Sequence, residues 1–308
     1  VYYNVQFFSY SQQPSLSSQQ TTYATLKDLK IMPEALMRNR SISECNNEFY
    51  LISPVLVSET LVDPEAALEV KKSIVGAGCP RLQSERIPFM SQSYEDKVLY
   101  QISRSNDDVK CNEGVFFEIG GLKGIRYSNS FFFEYALGWK SILVEAHPEN
   151  FAILEKNRLA SINFHAAICD GESIDFQGGD AVGGIVETMD AAHKEFWIDN
   201  ENDKVFKVPC RKLDSIFKEA NVRHIDIFSL DVEGGEVLVL ENMDWSVSVG
   251  LWVVEYAGTP EHLQKIHDVL EEHGYVAASW DIMDACPLKG DCFKSDCTRN
   301  KVFVSVKQ

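Results

Sequence analysis

From about residue 85 onward, short apolar runs alternate with longer amphipathic ones, and this alternation restricts the fold more than any other feature of the chain. "GVFFEIGG" reads as a strand followed by a tight turn. "SNSFFFEYALGW" reads as a helix, with Ser128 or Asn129 as its cap and Gly138 as its stop. "SILVEAHP" and "PENFAILEKNRL" repeat the strand and helix, and "INFHAAICD" is a third strand. After an insertion containing "GGDAVGG" come "VFKVPC", a helix through "KLDSIFKEANV", the strand "IDIFSLDVEGG", the helix "EVLVLENM" and the strand "LWVVEYA". "PEHLQKIHDVLEEHG" is a helix with Pro260 in its first turn and Gly274 at its end, and "YVAASWDI" and "KVFVSVKQ" close as strands. Strands separated by helices run parallel, so the pattern predicts an α/β fold with a doubly wound, mainly parallel sheet. The last two strands have no helix between them, which predicts an antiparallel final strand at or near the edge.

Residues 1–84 have a different texture and read as an N-terminal extension to a domain at 85–308. Residues 1–25 are rich in Ser, Gln, Thr and Tyr, and "DPEAALEVKKSIVGAG" carries helix signals in Asp63, Pro64 and Gly76. The chain begins at Val1 rather than Met, as a processed or trimmed chain does, and no apolar run is long enough to span a membrane. Acids outnumber bases 46 to 29, for a formal charge of −17, which argues against a nucleic-acid partner.

Of eight cysteines, Cys45, Cys79 and Cys111 precede the first strand, and Cys286, Cys292 and Cys297 crowd a loop at 284–299. Three thiols on a polar loop favour disulfides, and with them a secretory lumen or extracellular location over the cytoplasm. Cys169 and Cys210 sit in or beside apolar runs and read as buried thiols. "NRS" at Asn39 is a glycosylation sequon.

In doubly wound sheets, ligands bind beyond the carboxyl ends of the strands. Gly120, Gly121 and Gly124 occupy that place after the first strand, and let the backbone turn tightly and approach a ligand. Taken alone the turn serves equally as a plain strand-to-helix connection. Glu145 ends the second strand about 20 residues later, at the spacing of an acid that accepts hydrogen bonds from ribose hydroxyls. The dinucleotide fingerprint G-x-G-x-x-G is absent; Glu118-x-Gly120-Gly121-x-x-Gly124 stands instead. An acid beside the turn would repel a pyrophosphate and suits a cationic ligand end. S-adenosylmethionine, with its ammonium, sulfonium and ribose, matches better than NAD.

The series "MSQSYEDKVLY", "GVFFEIGGLKGIRYSNSFFFEYALGWKSILVEAHPENF", "FHAAICD", "KLDSIF", "IDIFSLDVEGGEVLVLENM" and "VVEY" resembles the FkbM family of S-adenosylmethionine-dependent methyltransferases across roughly residues 85–282. The resemblance implies a Rossmann-like class I methyltransferase with a seven-stranded sheet, and O-methylation of a hydroxyl on a sugar, glycan or related polyhydroxylated compound. The chain departs from the family pattern at Gly121, often Ala, and at Lys123, often Asp. By resemblance, Gln92, Glu118, Asn129, Glu145, Ala167, Ile168 and Asp231 border the cofactor, and Asp96 shares a motif with Gln92. Asn129 is read both as a cap and as a contact to the methionine end.

"LDVEGGE" sets Asp231, Glu233 and Glu236 at another strand exit, and Glu255 ends the next strand. Asp231 leads as the catalytic candidate by resemblance. Glu233 is read as a further catalytic candidate that contacts cofactor or substrate, and Glu236 as support for the helix start. Glu255 in a dry pocket would be a general base for a hydroxyl, with an ion-pair or capping role as the alternative. Exit acids this close could also hold a divalent metal, although the sequence gives no complete ligand set. His147 reads as a surface residue, His165 as structural, and His262 and His267 as helix-face residues. Two rival readings stand: a binding protein that keeps the fold without turnover, and an NAD-dependent enzyme. The sequence is silent on oligomeric state.

Overall fold

The computed structural model describes residues 89–92, 95–103, 113–179, 181–189, 191–199, 203–278 and 300–306. The N-terminal extension expected at 1–84, the Asn39 sequon, Cys45, Cys79, Cys111 and the cysteine loop at 284–299 lie outside these residues.

The described residues give helix α1 (Glu95–Ser103) and strand β1 (Val115–Ile119), then α2 (Phe131–Leu137), β2 (Lys140–Glu145), α3 (Pro148–Asn157) and β3 (Ile162–His165). Four short strands and a helix follow around the insertion: β4 (Ala167–Ile168), β5 (Ser173–Gln177), β6 (Gly184–Ile185), α4 (Ala191–Trp197) and β7 (Val205–Arg211). The domain closes with α5 (Leu213–Glu219), β8 (His224–Leu230), α6 (Glu236–Glu241), β9 (Ser248–Glu255), α7 (Pro260–Glu272), β10 (Tyr275–Ala277) and β11 (Asn300–Ser305).

Seven strands form one sheet in the order β10-β11-β9-β8-β1-β2-β3. β3, β2, β1, β8 and β9 are mutually parallel, and β11 runs antiparallel to both β9 and β10. The final strand is therefore antiparallel, as the missing helix predicts, and takes the place next to the edge. The chain winds from β1 outward to β3, then returns to pair β8 on the other side of β1. That reversal makes the β1–β8 boundary the switch point, where a doubly wound sheet opens a crevice.

Both faces of the sheet are covered, so the strands read as near-continuous apolar runs. Phe117, Phe228 and Trp252 pack against Leu213, Ile216 and Phe217 of α5, Leu240 of α6 and Ile266 of α7. Phe116 and Val253 face the other way, onto Leu99 of α1 and Phe132 and Phe133 of α2. The Phe131–Phe133 run is core, as an amphipathic helix predicts. Gly138 ends α2 in the left-handed region with φ 70°.

Three sequence-based expectations need correction. "INFHAAICD" is not one strand: it breaks at Ala166, and β4 leaves the main sheet to pair β7 in a second sheet of order β4-β7-β5-β6. The cap of α2 is Ser130, not Ser128 or Asn129, and it makes no side-chain capping bond. Cys169 and Cys210 are not thiols but a disulfide with Cα atoms 5.1 Å apart, made where β4 and β7 run side by side.

The bridge closes a loop of 41 residues that contains the whole insertion. Replacing both cysteines with alanine is expected to lower the unfolding free energy by about 2–4 kcal/mol. Urea unfolding of the two proteins would measure this, and an unchanged midpoint would show that the sulfurs are not linked.

Candidate functional site

Because β1, β2, β8 and β9 are parallel, their carboxyl ends emerge on one edge, carrying Glu118, Glu145, Asp231 and Glu255 with them. A cleft of about 890 Å³, part of it open to solvent, lies on this edge, bordered by Glu118, Gly120, Glu145, Asn129, Asp231 and Glu233 among others. Ala166, Ala167, Ile168, Phe176 and Ile185 give it an apolar side. Gln92, exposed, and Tyr127 also lie on its wall.

The turn after β1 is shaped by contact between two strand exits. Gly120 has φ 89°, and a Cβ there would lie 2.0 Å from the Asp231 carbonyl oxygen. Gly120 N–H donates to the Val144 carbonyl (3.0 Å), and Asp231 N–H donates to that of Ile119 (3.2 Å). Only Gly120 of the three glycines reaches the cleft wall. A side chain on Gly121 would meet Leu154 at 2.9 Å, and one on Gly124 would meet Arg158 at 2.7 Å. Those two glycines pack against α3 and are not on the cleft wall.

Glu118 is 2% exposed, and the loop after the glycine turn supplies its hydrogen bonds. Its Oε1 accepts from Asn129 N–H (2.7 Å), and its Oε2 from Ser128 Oγ (2.8 Å), Ser130 Oγ and Ser130 N–H (3.4 Å). The residues that read as a helix cap thus hold the chain's own carboxylate. Asn129 turns its amide to Ser229 Oγ at 2.8 Å.

Glu145 accepts from Leu122 N–H through Oε2 and from His147 N–H through Oε1, both at 2.7 Å. Burial raises its pKa to about 7, against the lowering effect of these bonds. His147 is buried rather than on the surface; its Nδ1 caps α3 by accepting from Glu149 and Asn150 N–H. Ahead of β1, Asp96 gathers Met90 N–H (2.6 Å), Ser91 N–H and Ser91 Oγ (2.6 Å), which fixes the turn that carries Gln92.

At the β8 exit the oxygens of Asp231, Glu233 and Glu255 approach one another within 4.8 Å. Glu255 is buried and is not on the cleft wall; its Oε2 accepts from Glu233 N–H at 3.2 Å, and its carboxyl is hydrogen-bonded to Asp231. Asp231 keeps some exposure to the cleft, yet desolvation and then the Glu255 charge raise its pKa well above the usual carboxylate range. Two hydrogen-bonded carboxyls share a proton, which suits proton exchange. The three side chains could together hold a divalent cation through oxygen ligands, the possibility that the sequence raises. Glu236 supports the turn, as expected: its Oε1 accepts from Val232 and Gly234 N–H, and its Oε2 pairs with His262 at 2.9 Å.

His193 has no counterpart in the sequence reading. It sits on α4 in the insertion, with Nε2 2.9 Å from the Val182 carbonyl oxygen and Nδ1 3.4 Å from Glu233 Oε2. A carbonyl only accepts, so Nε2 carries a proton and Nδ1 faces the carboxylate. No motif marks it; only the folding of the insertion over the strand exits brings it there.

No curated protein matches the chain in sequence. Several solved structures are similar to it at low identity and low TM-score. The O-methyltransferase from Bacillus cereus in complex with SAH is 12% identical, with 85% of this chain and 98% of that chain covered at a TM-score of 0.37. Aeropyrum pernix fibrillarin with natively bound S-adenosyl-L-methionine is 12% identical, with 64% and 67% covered at a TM-score of 0.36. Precorrin-6y C5,15-methyltransferase from Geobacter metallireducens GS-15 is 13% identical, with 65% and 76% covered at a TM-score of 0.32. The family comparison is firmer: residues 118–277, which run from the acid of β1 to the last residue of β10, match the methyltransferase FkbM domain. That match takes in more than half of the 308 residues, and the chain belongs to the FkbM methyltransferase family.

Proposed function

We propose that the protein is an S-adenosylmethionine-dependent O-methyltransferase acting on a hydroxyl of a sugar, glycan or related polyhydroxylated compound. The observation that carries this reading is the gathering of Glu118, Glu145 and Asp231 around one cleft at the switch point of the sheet. The donor set fits the cofactor: acids for an ammonium and ribose hydroxyls, and Ala167, Ile168 and Phe176 for a purine. S-adenosylmethionine supplies, when bound, a methyl group made electrophilic by its sulfonium.

The residues supply the rest. Glu145 accepts from the ribose hydroxyls, and Glu118 faces the amino-acid tail. The Asp231–Glu255 pair, with Glu233 beside it, receives the proton of the acceptor hydroxyl as its oxygen takes the methyl group, so the positive charge lost at sulfur reappears as the transferred proton. The acidic surface argues for an uncharged acceptor over a nucleic acid. The Cys169–Cys210 bridge supports a place in the secretory lumen or outside the cell. Transfer of a labelled methyl group from S-adenosylmethionine to a panel of glycans, with mass analysis of products, tests the reading as a whole.

Two expectations sharpen it. Asp231→Asn should lower turnover about 100-fold or more while changing cofactor affinity much less; single-turnover transfer beside calorimetry separates the two, and wild-type turnover would remove Asp231 from the chemistry. Ribose hydroxyls donate to the ionised form of Glu145, whose pKa is about 7. Binding of S-adenosylhomocysteine should therefore strengthen as pH rises through 7, roughly tenfold between pH 6 and pH 8. Glu145→Gln should weaken binding and flatten the profile, and an unchanged profile would release Glu145 from the ribose.

A further inference from the structure

A guanidinium is almost never fully buried unless it is paired. Arg158, the residue that ends α3, is 2% exposed and is not on the cleft wall. Its Nη1 donates to the Gly124 carbonyl at 2.8 Å and to Ser128 Oγ at 3.1 Å. Its Nη2 donates to Ser130 Oγ at 3.0 Å and to Glu134 Oε2 at 2.9 Å. One planar fork thus spans the glycine turn, the loop at 128–130 and the side of α2.

Arginine has no acceptor, so each serine oxygen must receive from it, and each serine's single hydroxyl proton must go elsewhere. Both go to Oε2 of Glu118. With the Ser130 N–H added, that oxygen takes three donors, whereas among the described residues Oε1 takes only Asn129 N–H. The acceptor capacity that remains on Glu118 therefore lies on Oε1. Arg158 fixes this asymmetry by setting the direction of both hydroxyls.

We propose that Arg158 is a positioning residue for the cofactor's amino-acid tail: through Ser128 and Ser130 it holds Glu118 so that Oε1 remains to accept from an ammonium group. The inference rests on the cofactor reading above and adds to it a residue with no direct contact to the ligand.

Two ligands separate positioning from bulk structural support. S-adenosylhomocysteine has the amino-acid tail; 5′-methylthioadenosine has the same nucleoside and a thioether sulfur without that tail. Calorimetry would compare both on wild type, Arg158→Lys, and the double variant Ser128→Ala/Ser130→Ala. The lysine keeps the charge and loses the fork. The serine variant keeps the Arg158–Glu134 pair and cuts the link to Glu118, so it decides the matter if the lysine variant does not fold. Both variants should bind S-adenosylhomocysteine about tenfold more weakly or worse, and 5′-methylthioadenosine within about twofold of wild type. Adding Glu118→Gln to either should cost little more than Glu118→Gln alone. Equal losses for both ligands, or no loss for either, would overturn the proposal, as would wild-type protein that binds the two ligands equally. Wild-type protein that binds neither would overturn the cofactor reading itself.

Discussion

The edge of the sheet is organised by one close contact, the passage of the β1 exit against the backbone of the β8 exit. Gly120 leaves no room for a side chain beside the Asp231 carbonyl, and the Ile119 carbonyl accepts from Asp231 N–H across the same boundary. Because the chain reverses its winding there, these are the exits of strands that lie far apart in sequence and side by side in space. Any widening of this contact would move Asp231 away from the end of β1, which carries Glu118. The left-handed backbone of Gly120 thus links the fold to the spacing of its acids.

That spacing has an electrostatic cost. Glu118, Glu145, Asp231, Glu233 and Glu255 stand at one edge of a sheet whose chain is already strongly acidic. Burial raises Glu145 and Asp96 to about 7. A carboxyl raised in the folded state contributes stability that is complete below its unfolded pKa, near 4, and fades as pH rises through the folded value. Acidification therefore relieves these two groups, whereas under the proposed function a bound nucleoside would favour the ionised form of Glu145. A ligand that brings positive charge and hydroxyl donors supplies what the site lacks, whereas a pyrophosphate would add to the repulsion.

The order of strands and helices was legible because apolar runs and helical amphipathicity are local signals, and so were the four acids at the strand ends. What the sequence hid depends on partners remote along the chain. Ser128 and Asn129 carry the chemistry of helix caps, but a buried carboxylate ten residues earlier takes their donors. Cys169 and Cys210 look like two core thiols until β4 leaves the main sheet and lies beside β7. Gly121 and Gly124 look like parts of a ligand cradle because glycine spacing cannot distinguish approach to a ligand from approach to Leu154 and Arg158. Arg158 is a charged residue that no sequence motif marks, and it lies buried among Ser128, Ser130 and Glu134.

The insertion between β3 and α5 is the part of the domain least constrained by local pattern, yet it closes one side of the cleft. Phe176 and Ile185 of its small sheet lie on the wall beside Ala167 and Ile168. Within that sheet the disulfide ties β7 to the end of β4, and His193 ties the insertion's helix to Glu233. Glu233 itself has φ 52°, a left-handed conformation that a residue with a side chain adopts at a cost. Its N–H donates to Glu255 and its carboxylate meets His193, so that strained backbone is held from two sides. The apolar wall of the cleft and the acids at the β8 and β9 exits are thus linked through the insertion. A change in the insertion should reach the acids through His193 and Glu233 without passing through the main sheet.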